Sequence, residues 1–154
     1  MDALYPIVLT IHSVMRWFVL LAGAAAVVQS LVSLVSGGTF LKRHKLSNLA
    51  FMIFVDLHLL LGSILYFVLS PITRAAFADF GGAMKEAAIR YWAVEHITGM
   101  ILGFILLHVA YFLGKRAKTD KGKFIWGGIG LGLALLVIIG SIPWPFMAAG
   151  RPLF

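Results

Sequence analysis

IVLTIHSVMRWFVLLAGAAAVVQSLVSLV, residues 7–35, is an apolar run interrupted by one formal charge, Arg16. A helix needs about 20 apolar residues to cross a hydrocarbon core about 30 Å thick, and this run is longer than that. Because lipid offers no partner for unpaired backbone groups, such a run is expected to be a helix. Three further runs of this kind follow, at residues 47–70, 91–114 and 124–142. The sequence therefore predicts an all-α fold, a transmembrane four-helix bundle that forms a single domain over residues 1–154.

Composition agrees with a membrane protein, since 61% of the 154 residues are hydrophobic and only 12% are charged. The first run is too long for a cleaved signal peptide, and Asp2 is the only charge before it, so we expect it to stay in the mature protein. The chain has no cysteine, which excludes disulfides, iron–sulfur clusters and thiolate-bound metals. No HExxH, nucleophile elbow or phosphate-binding glycine loop is present, so no catalytic residues are assigned.

Lysine and arginine indicate the orientation. They concentrate in the loops after the first and third runs, which are therefore predicted to be cytoplasmic, in a bacterial cytoplasmic membrane. Both termini and the 71–90 connection are then on the outer side. The net charge of +7 is thus an orientation signal and does not indicate a nucleic-acid partner. The residues of the two basic loops are Lys42, Arg43, Lys45, Lys115, Arg116, Lys118, Lys121 and Lys123, and His44 among them is expected to be solvated.

The connection between the second and third runs begins at Pro71, which cannot continue a helix comfortably. The stretch GGAMKEAAIRYW follows, with helix-forming residues after a glycine pair. It predicts a short interfacial helix at about residues 83–90.

Two histidines within the predicted spans have matched depths. His12 and His96 each lie five or six residues inside the outer end of their helix, roughly 8 Å deep at about 1.5 Å per residue. Two neutral imidazoles at equal depth on different helices are what a six-coordinate haem b requires, one on each side of the porphyrin. We therefore expect His12 and His96 to bind a haem iron. The alternative is that each histidine is a structural polar residue bonded to a neighbouring helix.

Further residues join this candidate site. Arg16, one turn from His12, can neutralise a haem propionate or pair with an acid, and Glu95 can accept the second ring proton of a ligand histidine. Gly99 and Gly103 share a face with His96 and would leave room for a flat macrocycle. Their spacing also fits the GxxxG pattern of close helix packing.

A second pair of histidines, His58 and His108, is predicted as a secondary cofactor site. Their depths differ by roughly 7 Å, so a second haem is less well supported. Asp56 lies about 160° from His58 on the same helix and is expected to be a structural residue, paired with Arg16 or hydrogen-bonded, or else a proton relay.

Four segments carry a family resemblance. HSVMRW (12–17), LHLLLGSILYFVLSP (57–71), RYWAVEHITGM (90–100) and SIPWPF (141–146) resemble a group of small bacterial four-helix membrane proteins commonly labelled "cytochrome b". The resemblance covers nearly the whole chain. It implies haem b and membrane electron transfer, with His12, Arg16, Glu95 and His96 as the residues carried over.

Three functions follow as hypotheses. The first is a haem b electron-transfer protein that works with a quinol, a quinone or another membrane redox subunit. The second is a non-catalytic subunit of a respiratory or photosynthetic membrane complex, with chlorophyll in place of haem as a variant. The third is a proton or ion pathway through Asp56, Arg16 and Glu95.

Overall fold

The computed structural model describes residues 3–150 and contains helices and connections only within that range. Four of its helices are long and apolar enough to cross a membrane, as the apolar runs predict, and the all-α prediction is confirmed. Asp2 and Arg151, two charges assigned to the outer side, lie outside the described residues. The helices are α1 (Leu4–Val35), α2 (Lys42–Leu69), α3 (Pro71–Ala78), α4 (Phe80–Ala83), α5 (Ala87–Arg116) and α6 (Asp120–Gly140).

Three of the long helices extend past their apolar runs into the basic loops. A helix can continue through charged residues there, because their long side chains extend into water. At the start of α6 the Thr119 side chain accepts the Gly122 N–H (3.1 Å), which satisfies a backbone donor at the helix start.

His44 caps the start of α2 and is buried, with 1% of its surface exposed, so the prediction that it is solvated is wrong. Its Nδ1 accepts the Leu41 N–H at 3.0 Å, which places the ring proton on Nε2, 3.1 Å from the Ser33 hydroxyl. The ring also packs edge-on against Phe124, with 5.0 Å between centroids. His44 therefore links α2 to α1 and α6.

The connection between α2 and α5 departs from the predicted single helix at 83–90. The second span ends at Leu69, and Pro71 occupies the first turn of α3, where a missing N–H costs little. The Ser70 hydroxyl accepts the Thr73 N–H at 3.3 Å and begins that helix. Residues 87–90 are the first turn of α5, so they continue into the third span instead of forming a separate interfacial helix.

Buried side chains from all four long helices form one core, in which α1 packs on α2 and α5 packs on α6. Glycines allow the closest approaches between helices. A Cβ on Gly99 would overlap the Ser141 hydroxyl, and one on Gly103 would lie 2.7 Å from Ile138 Cγ1. Both glycines therefore serve contact between α5 and the end of α6, and the predicted room for a macrocycle beside them is absent from the described structure. The core residues are Val19, Ala26, Phe51, Val55, Met100, Leu107, Ala110, Leu131, Ala134, Leu135, Ile138 and Ile142.

Candidate functional site

A mostly apolar cavity of about 240 Å³ lies where α1 begins, α2 ends, α5 begins and α6 ends. We call this the terminal end of the helices, and the opposite end, with the α1–α2 and α5–α6 connections, the loop end. Three histidines from three different helices line the cavity, together with Arg16. The histidines are His12 of α1, His58 of α2 and His96 of α5.

His12 and His58 stack face to face. Their ring centroids are 3.8 Å apart and their planes differ by 16°. Gly62, one turn after His58, provides the space for this contact, since a Cβ there would lie 3.1 Å from His12 Cε1. The Nδ1 atoms of both histidines are buried and have no hydrogen-bond partner within the described residues 3–150. Buried nitrogens of this kind are normally satisfied, so the pair is suited to a ligand that supplies the missing contact.

His96 has a defined tautomer. Its Nδ1 lies 2.7 Å from the carbonyl oxygen of Ser141 at the end of α6. A carbonyl can only accept, so Nδ1 carries the proton and, in the neutral ring, Nε2 keeps its lone pair. The same carbonyl accepts the Tyr91 hydroxyl at 2.8 Å. A backbone carbonyl on one ring nitrogen is the usual support for a histidine that binds a metal through the other nitrogen.

Arg16 contributes the positive charge of the cavity. It lies one turn below His12, and only 8% of its surface is exposed. Its guanidinium carbon is 5.5 Å from the centroid of the Trp17 ring. A guanidinium held in an apolar cavity is a strong partner for a carboxylate or another anionic group of a ligand.

Glu95 does not belong to this site. Its carboxylate lies 2.8 Å from Nε of Arg90, in an ion pair whose two side chains are 48% and 44% exposed. The second ring proton of His96 goes to the Ser141 carbonyl instead. The predicted role of Glu95 as acceptor for a ligand histidine, and its pairing with Arg16, are therefore wrong.

His58 and His108 do not form a pair, because His108 lies outside the cavity and His58 stacks on His12. Nε2 of His108 is 3.3 Å from Asp56 Oδ1, and the His108 Nδ1 donates to the Phe104 carbonyl at 3.0 Å. The two ionisable side chains remain 36% and 41% exposed. Asp56 thus faces His108 across α2 and α5, and the prediction that it pairs with Arg16 is wrong.

The sequence does not predict two residues of the site: Gly62, which lines the cavity, and Ser141, which holds His96. Ser141 binds His96 through its backbone carbonyl. Every residue has such a carbonyl, so the residue type does not indicate this role, although Ser141 is the first residue of the SIPWPF segment. Gly62 lies in the LHLLLGSILYFVLSP segment four positions after His58, a spacing that places both on one face of α2.

The cavity offers a ligand the ring nitrogens of three histidines and one guanidinium, in mostly apolar surroundings. Within residues 3–150, no three or more histidine, aspartate or glutamate side chains are arranged to hold a metal ion by themselves.

Comparison with known proteins gives no assignment: no family model, curated protein or solved structure matches this chain. The resemblance of four segments to the small proteins labelled "cytochrome b" therefore stays a hypothesis.

Proposed function

We propose that the chain is a haem b-binding membrane protein that transfers single electrons, with the iron held by His12 and His96. The observation that carries the proposal is His96, which lines the cavity and whose Nδ1–H is fixed by the Ser141 carbonyl, the support that a metal-binding histidine usually has. In this proposal the four long helices form a transmembrane bundle in a bacterial cytoplasmic membrane, with both termini on the outer side.

The donor set fits haem b, because imidazole is a common axial ligand and Arg16 can neutralise a propionate. The cavity is too small for haem in this structure. Its volume of about 240 Å³ is below the roughly 300–1,000 Å³ of sites for drug-sized ligands, and a porphyrin is larger than most such ligands. Occupation by haem therefore requires side chains that line the cavity to move apart.

Bound haem supplies one-electron redox chemistry. The protein would bind the iron, orient the haem and exclude water. His12 and His96 would hold the iron together and leave it no open position for oxygen, which would favour electron transfer over oxygen activation. The apolar lining and the charge of Arg16 tune the reduction potential. A quinol, a quinone or another membrane redox subunit is the proposed electron partner.

The test is a dithionite-reduced minus air-oxidised absorption spectrum of the protein purified in mild detergent from haem-supplied cells. We expect a b-type alpha band and about one haem per chain. A folded but colourless protein from the same cells would overturn the proposal.

A second candidate function has its own support in the exposed Asp56–His108 pair. Ionisable groups within membrane spans are costly beside lipid and usually face protein or water. A partner helix over α2 and α5 would cover this pair, as expected of a non-catalytic subunit in a respiratory or photosynthetic complex. In one variant histidine binds chlorophyll instead of haem, and strong red absorption in the same spectrum would identify it.

His58 is proposed to orient His12 by stacking and not to bind iron. His58→Phe keeps an aromatic ring against His12 but has no ring nitrogen, so we expect it to retain haem, with the alpha band shifted by a few nanometres at most. The haem-to-protein ratio and the spectrum measure this, and a thermal melt shows that the variant folds. Loss of the alpha band in folded His58→Phe would make His58 a ligand.

A further inference from the structure

We propose that the loop end of the helices holds a second site, which binds the phosphate-bearing headgroup of an anionic phospholipid. A cavity of about 290 Å³ lies there, between α2, α5 and α6. It shares no lining residue with the histidine cavity. The proposal is therefore independent of haem binding.

Three lysines from three helices surround this cavity: Lys45 of α2, Lys115 of α5 and Lys123 of α6. Lys123 is held in place, since its Nζ lies 3.1 Å from Asp120 Oδ1 and 5.3 Å from the centroid of the Phe40 ring. Asp120 also accepts the Phe40 N–H at 3.0 Å, so both oxygens of this carboxylate already have partners within the protein. The lysines exceed the acidic charge beside them, and a phosphate group complements that excess.

The inner wall of the cavity is apolar. Ala110, Gly127 and Leu131 are buried there between the helices. A wall of this kind gives no hydrogen bonds to a small hydrated anion, but it suits the glycerol and the first methylenes of a lipid. Basic pockets between membrane helices are a common form of site for anionic lipid headgroups.

Asn48 adds a specific polar group. Its side chain lines the cavity, and its Oδ1 is buried without a hydrogen-bond partner among the residues that the structure describes. An amide oxygen needs a donor, which an ionised phosphodiester does not offer and a headgroup hydroxyl does. The site therefore fits a hydroxyl-bearing anionic headgroup such as phosphatidylglycerol better than phosphatidylmethanol, an anionic phosphodiester without a hydroxyl.

The experiment measures lipid binding by native mass spectrometry of the whole protein in neutral detergent, with phosphatidylglycerol and phosphatidylcholine as probes. We expect wild type to favour phosphatidylglycerol about tenfold or more, from the attraction of its lysines. The triple variant Lys45→Gln, Lys115→Gln, Lys123→Gln should lose that preference. A thermal melt in phosphatidylcholine checks that each variant folds.

The matched control removes the same charge from the same end of the protein. Lys42→Gln, Lys118→Gln, Lys121→Gln alters three lysines that do not line the cavity, and it should keep the preference. Equal loss in both triple variants would show diffuse attraction to a basic surface and overturn the site. Complete displacement of the lipid by inorganic phosphate at equal concentration would assign the cavity to free phosphate and overturn the lipid proposal.

Asn48→Ala provides a second, milder variant. It leaves all three lysines in place and removes the unsatisfied amide oxygen. We expect wild type to favour phosphatidylglycerol over phosphatidylmethanol several-fold, and Asn48→Ala to bind the two alike. An unchanged preference in Asn48→Ala would overturn the role of the headgroup hydroxyl.

Discussion

Haem content is expected to fall by at least tenfold when His96 or His12 is replaced by alanine, because each substitution removes one proposed axial ligand. His96 has the clearer structural support, since its Nδ1 donates to the Ser141 carbonyl with 2.7 Å between nitrogen and oxygen, as the second nitrogen of a metal-binding histidine usually does. Any haem retained should become five-coordinate and high-spin, which weakens and shifts the alpha band. Reduced-minus-oxidised spectra and the haem-to-protein ratio in detergent measure both effects.

His108→Ala is the matched control, because it makes the same substitution twelve residues further along α5, outside the cavity. It should retain haem at the wild-type ratio, although it leaves Asp56 without the imidazole that lies 3.3 Å away. Equal haem content in wild type and folded His96→Ala would exclude His96 as a ligand. Equal loss in His96→Ala and His108→Ala would show a general effect on folding.

The apolar runs predict the four long helices because crossing a hydrocarbon core is a requirement of length and polarity that any sequence must meet. The same rule ends helices at the first charges, so the helical residues 42–46, 115–116 and 120–123 are missed. His44 shows why. A histidine among lysines looks solvated, but its two ring nitrogens match a backbone donor and a hydroxyl that only the folded contact between α1 and α2 brings together.

The depth of a residue along its helix could be predicted from the sequence better than the direction in which its side chain points. His12 and His96 do line one cavity, as their matched depth suggests. The neighbours of His58 depend on how α2 is rotated, which the sequence does not specify. Residues Tyr91–Glu95 form a π-helical turn, in which side chains do not follow the spacing of about 100° per residue of an α-helix. Glu95 accordingly pairs with Arg90, five positions earlier.

Gly99→Ala is expected to reduce both stability and haem retention, because this glycine lies against the residue that holds His96. The new Cβ would overlap the Ser141 hydroxyl and lie 2.7 Å from the Ser141 Cβ. Ser141 must then move, and its carbonyl carries the bonds from His96 and Tyr91. Overpacking of this kind costs about 1–3 kcal/mol in the free energy of unfolding. Thermal unfolding and the rate of haem loss to an acceptor protein measure the two effects.

The comparison that isolates this effect is Gly132→Ala in α6. A Cβ there would meet Val27 Cγ1 at 3.6 Å, an ordinary contact, so only the gain in helix propensity of about 0.5–1 kcal/mol is expected. Adding Ser141→Ala to Gly99→Ala removes the overlapping hydroxyl but keeps the backbone carbonyl for His96. The double variant should therefore recover part of the lost stability and part of the haem retention, because the 2.7 Å contact with the Cβ of residue 141 remains. Additive effects of the two substitutions would show that Gly99 does not act through Ser141.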